Sequence, residues 1–262
     1  MNKGISYFFG FDVGAKNLAR IIKEAGFDHV ITSADKRFNK QNGKISYQVR
    51  QMKKYGLKPS SLHFRYSNFE LPYFWKEGKI GEKMTKNLKK DVKIAKKYGF
   101  LCVVVHLDGE YSAVGEKRLK EVLNLCEKLN VPLAIENINN KDVFVKTFEN
   151  IKHDMLRFCY DAGHGNVYDK DFNYLQNYGD KLICLHLHDN NGKSDQHTLS
   201  KYSASVDWDK IAKILAEHPD ISLDYELLNK GVDTEASATE YLKEAFLEAN
   251  KLESLIKKYQ KN

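Results

Sequence analysis

The chain has 262 residues, with 42 Lys+Arg against 35 Asp+Glu for a formal charge of +7, and is 42% hydrophobic and 29% charged. That balance excludes a disordered polyelectrolyte, no apolar run approaches the ~20 residues of a membrane span, and Met1-Asn2-Lys3-Gly4 does not open a secretion signal. The four cysteines lack Cys-x-x-Cys spacing, and Cys102, Cys159 and Cys184 fall inside apolar runs, as buried thiols of a cytoplasmic protein do.

Taken in chain order, short apolar runs alternate with longer amphipathic stretches. The pattern predicts strands at 7–11, 29–32, 61–66, 101–107, 132–138, 157–161, 182–188 and 221–228, with helical stretches at 13–25, 117–129, 208–217 and 236–258 among others. Gly26, Gly56 and Gly99 follow helical patterns, where a left-handed cap is wanted. Between 76 and 97, Met84, Leu88, Val92 and Ala95 recur at helical spacing. Lys83, Lys86, Lys89, Lys90, Lys93, Lys96 and Lys97 therefore occupy the wet side, a solvated face first and a surface for an anionic partner second. Tyr73-Phe74-Trp75 is compatible with core packing, a pocket wall or a subunit contact, which leaves an oligomer open. Eight strands at about thirty residues per unit, with no Pro/Gly/Ser-rich linker, predict an α/β fold: a (β/α)8 TIM barrel occupying residues 1–262 as one domain.

The chemistry lies where the strands end. In order these ends carry His63, His106, Glu136, Asp161, His186 and Glu226, and the following loops add His164, Asp195 and His197. In such a barrel all strand C-termini open on one face, so these side chains converge. Alternation puts Cys184, His186 and His188 on the interior side, likewise Cys102, Val104 and His106, and Ala134 with Glu136. Each residue alone has a plain reading: a hydrogen-bonded structural histidine, a helix cap, or a turn at Asp161-Ala162-Gly163-His164 or Asp189-Asn190-Asn191-Gly192. Together, so many carboxylates and imidazoles on one rim require a compensating cation. Ligands without cysteine suit zinc, manganese, cobalt or magnesium.

These residues carry a resemblance to the xylose isomerase-like barrels, which join sugar isomerases and epimerases to apurinic endonucleases of the endonuclease IV type. It rests on Glu24-Ala25-Gly26-Phe27-Asp28, Val104-Val105-His106, Leu133-Ala134-Ile135-Glu136-Asn137, Cys159-Tyr160-Asp161-Ala162-Gly163-His164, His186-Leu187-His188-Asp189-Asn190, Asp195-Gln196-His197 and Asp224-Tyr225-Glu226, in the family's order. The resemblance implies Glu136, Asp161, His186 and Glu226 as ligands of a common metal. It implies His63, His106, His164, Asp195 and His197 as ligands of further metals in the nuclease branch, one to three ions in all. Three departures are visible: Thr198-Leu199-Ser200-Lys201-Tyr202 replaces a Gly-Glu-Gly turn after His197, Phe64-Arg65 follows His63 where a proline is common, and Asn137-Ile138-Asn139-Asn140-Lys141 follows Glu136 where the nuclease branch has a small-residue loop.

The leading expectation is an isomerase or epimerase of a small sugar or sugar phosphate, with Glu136 and Glu226 moving a carbon-bound proton beside a divalent metal. His188 and His106 would stand near substrate oxygens, Tyr66 matches a polar contact position of both branches, and Arg65 and Lys193 are candidates for holding a phosphate or carboxylate. The alternative is a metal-dependent endonuclease acting on abasic DNA, with nucleic acid as partner.

Overall fold

The computed structural model describes residues 1–65, 67–229 and 237–260. Eight strands run in parallel: β1 Lys3–Ser6, β2 His29–Ser33, β3 Lys58–His63, β4 Cys102–Val105, β5 Leu133–Glu136, β6 Leu156–Asp161, β7 Leu182–His186 and β8 Leu223–Tyr225. They pair in the order β7-β6-β5-β4-β3-β2-β1-β8. The ends of that order meet just above β7, where Leu187 N donates to Asp224 O at 2.9 Å and Glu226 N donates to Leu187 O at 3.0 Å. The sheet is a (β/α)8 barrel, as predicted.

The helices are α1 Ala15–Glu24, α2 Lys36–Asn42, α3 Ile45–Lys54, α4 Lys79–Tyr98, α5 Ala113–Leu129, α6 Lys141–Asn150, α7 Ala162–Tyr168, α8 Tyr174–Tyr178, α9 Ser200–Ser203, α10 Trp208–Leu215 and α11 Ala238–Gln260. No helix among the described residues is long and apolar enough to cross a membrane. Local sequence explains their limits. Ser112 caps α5 by accepting from Gly115 N, and α4 stops at Gly99, whose φ of 77° is open to glycine without strain. Met84, Leu88, Val92 and Ala95 bury the inner face of α4. Asp91 shares that apolar face, fully buried, and is held by the Arg65 guanidinium. Burial raises its carboxyl pKa despite that partner.

Two hydrophobic layers form. The larger lies between sheet and helices, and a smaller one of Cys102, Val104, Ala134, Cys159 and Cys184 fills the barrel interior, the face that alternation assigned to all of these but Cys159. Phe74 and Trp75 pack in the larger layer, so the aromatic tripeptide is mainly core. One strand lies elsewhere than predicted: β1 is Lys3–Ser6 and not 7–11. Gly4 fits there because a Cβ would collide with the buried Asp224 carboxylate. Tyr7 and Phe9 follow the strand as fully buried residues, with Tyr7 N donating to Ile31 O at 2.8 Å and Asn229 N donating to Phe9 O at 2.9 Å.

Candidate metal centre at the barrel mouth

The strand ends bring nine predicted residues together. Glu136 ends β5, Asp161 ends β6, His186 ends β7 and Glu226 follows β8. One ligand atom from each of these four lies within 4.8 Å of the other three. The His186 Nδ1 is 3.1 Å from Glu136 Oε2 and 3.2 Å from Glu226 Oε2. Ligands on a common ion at about 2.1 Å stand about 3.0–3.5 Å apart in octahedral or tetrahedral geometry, so these spacings are those of a coordination shell. On one side His63, His106 and Glu136 form a second group, and on the other His164, Asp195 and His197 form a third. The His106 Nε2 is 3.1 Å from Glu136 Oε2, the His164 Nδ1 is 3.2 Å from Glu136 Oε1, and the His197 Nε2 is 3.1 Å from Asp195 Oδ2.

Backbone and neighbouring side chains fix this array. Asp161 is at once a candidate ligand and the N-cap of α7, accepting from His164 N at 2.6 Å. Asn137, the residue after Glu136, clamps the end of β6 by donating to Asp161 O and accepting from Asp161 N, both at 2.8 Å. His188 is buried behind Asp161, its Nε2 3.1 Å from Asp161 Oδ1. His197 sits in the left-handed region at φ 55°, a strained position for a residue with a side chain, and its Nδ1 lies 2.8 Å from Glu226 O. Asp189 accepts from Ser205 N, Val206 N and the Trp208 indole, holding the loop that follows β7. Asn137 and Asp189 were visible only as motif letters in the sequence; their bonds cross between strands.

Both Glu136 oxygens and both His186 ring nitrogens are buried without a hydrogen-bond partner, as is the His164 Nδ1. Unsatisfied carboxylate and imidazole atoms aimed at one another are what a cation would satisfy, so the donor set fits a divalent metal held by Glu136, Asp161, His186 and Glu226. In the metal-free protein, protons take that part. Burial works against charge on His186, but the Glu226 and Glu136 carboxylates outweigh it and hold the imidazole well above its ordinary pKa. Burial likewise opposes charge on His164 and His197, yet Asp161 and Asp195 raise the first well up, and Asp195 with Glu226 raises the second to about 9. Burial alone would raise the Glu136 carboxyl; the His106 and His186 imidazoles hold it well below its usual range.

These directions set the pH dependence of loading. A metal ligand must be an unprotonated imidazole, so binding expels protons that the raised pKa values retain. Metal affinity should rise with pH up to about 9, where His197 loses its proton, and fall steadily below that. Calorimetric titration of zinc or manganese in buffers of different ionisation enthalpy will read the released protons; an affinity flat across that range would show that imidazoles take no part.

Gly163 offers a separate check. A Cβ there would overlap the His188 ring. Gly163→Ala should cost about 1–3 kcal/mol in urea unfolding, and weaken metal binding by shifting the histidine that braces Asp161.

The other expected contacts are dispersed. The Arg65 guanidinium is bound to Asp91 and lines a neighbouring cleft, while Lys193 is exposed in the turn after β7, its backbone N donating to Asn191 Oδ1 at 3.0 Å. Tyr66 lies outside the described residues. A cavity of about 510 Å³ opens beside Glu226, His63 and His197 and is walled by Phe8, Phe38 and Arg37. None of those three was singled out from the sequence: Phe8 was read as part of a strand, and Arg37 and Phe38 lie on α2, which no motif marked.

Comparison with known proteins bears on this geometry. The sequence matches the family described as xylose isomerase-like TIM barrel over residues 19–246. It is 25% identical over 244 residues to the uncharacterized protein y4fM of Sinorhizobium fredii (strain NBRC 101917 / NGR234), covering 79% of this chain and 78% of that one. The fold is similar to D-psicose 3-epimerase with D-tagatose from Clostridium cellulolyticum H10, with a TM-score of 0.75 at 14% identity over 98% of this chain and 99% of that one. It is also similar to the IOLI protein with a bound zinc atom, with a TM-score of 0.72 at 17% identity over 99% of both chains.

Proposed function

The chain belongs to the xylose isomerase-like TIM barrel family, and from that footing we propose that it is a metal-dependent isomerase or epimerase of a small sugar, working as a single barrel domain. The observation that carries this reading is the set Glu136, Asp161, His186 and Glu226, with ligand atoms inside 4.8 Å at the barrel mouth. A D-psicose 3-epimerase with D-tagatose is among the proteins that share the fold, and the IOLI protein with its zinc atom is another.

Those four residues would hold a divalent cation, which when bound supplies Lewis-acid polarisation of a carbonyl and its neighbouring hydroxyl. The chain's own residues do the proton work. The Glu136 and Glu226 carboxylates, from β5 and the end of β8, reach the reacting carbon from two sides; one removes its proton and the other returns one. His186 stands between them, within 3.2 Å of both. Asn137 and His188 keep Asp161 in place as a ligand, and the proton transfer falls to the two glutamates. Phe8 and Phe38, edge to face at 87° with ring centroids 6.5 Å apart, wall the cavity with apolar surface suited to the C–H face of a sugar and exclude water from the exchanging proton.

Incubation with ketoses in heavy water tests the scheme: deuterium should enter the hydroxyl-bearing carbon next to the carbonyl of the substrate. Turnover without deuterium entry rules out proton transfer through solvent-exchangeable carboxylates.

A second reading has one specific support, the two further ligand groups on either side of Glu136. Three adjacent groups suit a multi-metal phosphodiesterase acting on damaged DNA. About three tightly held ions per chain, with nicking of an abasic oligonucleotide, would select it over the sugar enzyme.

A further inference from the structure

The lysine stripe of α4 has no part in the proton chemistry, yet it borders a cleft of about 450 Å³ next to the site. Lys83, Asn87 and Lys90 line that cleft from positions i, i+4 and i+7 of one helix face. Lys36 and Arg37 at the start of α2 add to its basic lining, and so does Arg65 after β3. Asp35 and Arg37 line both this cleft and the cavity beside Glu226, His63 and His197, so the two spaces share a wall.

The charge there is in excess. Asp35 and Glu70 are the carboxylates of the lining; they pair with Arg37 at 3.1 Å and with Lys83 at 2.7 Å. Lys36 and Lys90 form no ion pair among the described residues. Arg65 is pinned by the buried Asp91, so its guanidinium holds its position without further loss of freedom on binding an anion.

We propose that this cleft receives a terminal oxyanion of the substrate, a phosphate or carboxylate carried on the end of the sugar remote from the reacting carbon. This rests on reading the neighbouring site as a sugar isomerase. The substrate then lies with its reacting end at Glu136 and Glu226, its middle against Phe8 and Phe38, and its anionic end past Arg37 among Lys36, Lys83 and Lys90. The basic face of α4 becomes a specificity element, and a neutral sugar of the same length forfeits its charge-assisted contacts.

The test uses metal-loaded protein and the doubly substituted Lys36→Gln/Lys90→Gln chain. Deuterium exchange is measured on a neutral ketose, a ketose phosphate and a ketose carrying a terminal carboxylate. The parent should favour one of the anionic sugars by about tenfold or more in kcat/KM, and the double variant should erase that preference through KM with kcat unchanged. Which anionic sugar gains identifies the oxyanion, and Lys36→Arg/Lys90→Arg should restore the preference. Equal exchange of neutral and anionic ketoses overturns the proposal and leaves the isomerase reading standing. Should no sugar exchange while inorganic phosphate binds the parent and loses affinity in the double variant, the isomerase reading fails and the oxyanion cleft survives. Tighter binding of a DNA oligonucleotide than of phosphate, weakened by the same variant, overturns the proposal in favour of a nucleic-acid track.

Discussion

Glu136→Gln should lower deuterium exchange by a factor on the order of 10²–10⁴ while the barrel stays folded. The substitution preserves shape but removes both the charge that faces His106, His164 and His186 and the carboxylate that carries the proton. Loss of metal and loss of a base are separable through Glu226→Gln. With Glu136 intact and metal saturating, the Glu226→Gln protein should still take a proton from one stereoisomer and exchange it with solvent. It should not invert that centre, because no group on the other side returns a proton. Exchange without epimerisation from one isomer, assayed by NMR in heavy water, identifies two bases on two sides. Full epimerisation by Glu226→Gln would remove this residue from the proton path and confine it to metal binding.

How much of this was legible in the sequence depended on the range of the forces concerned. Alternation along a strand is local, so the inward placing of Cys102 with Val104, Ala134 with Glu136, and Cys184 with His186 could be read directly, and it put the ligands at one mouth. The α4 stripe was equally local, though Asp91 lay hidden in it because its partner Arg65 is 26 positions away. Strand ends were overextended where apolar residues leave the ladder to enter a loop, as Leu107 and Ile138 do while staying buried. The first strand was displaced for the opposite reason. Gly4 and Ser6 are small residues in a tight barrel and give no hydrophobic signal, whereas Tyr7 and Phe9 give a strong one from a buried segment beyond the strand. That displacement hid Phe8, while Phe38 on α2 carried no motif that set it apart. The left-handed backbone of His197 was likewise invisible, since it is imposed by bonds to Glu226 and Leu228, which arrive from the far end of the chain.

Adding zinc or manganese to chelator-stripped protein should raise its melting temperature by roughly 8–16 °C when the ion is present at about a thousand times its Kd. A ligand at that excess contributes about 4 kcal/mol, and for chains of 150–250 residues each kcal/mol moves the midpoint by roughly 2–4 °C. The effect is large because the stripped site is poorly satisfied: Glu136 and His186 are buried with their polar atoms unbonded, and the cation replaces like-charged and orphaned contacts at a stroke. Asp161→Ala, which removes one of the four ligands, should shrink the shift to a small fraction, whereas the exposed Lys128→Ala should leave it whole. Acid should shrink it too. Below the raised pKa of His186 and His197 the stripped site is neutralised by its own imidazolium ions, so protons and metal compete for the same stabilisation. If the parent melts at the same temperature with and without metal at neutral pH, the convergence of acids and imidazoles at the barrel mouth is held together by protons alone, and the Lewis-acid chemistry assigned to it has no seat.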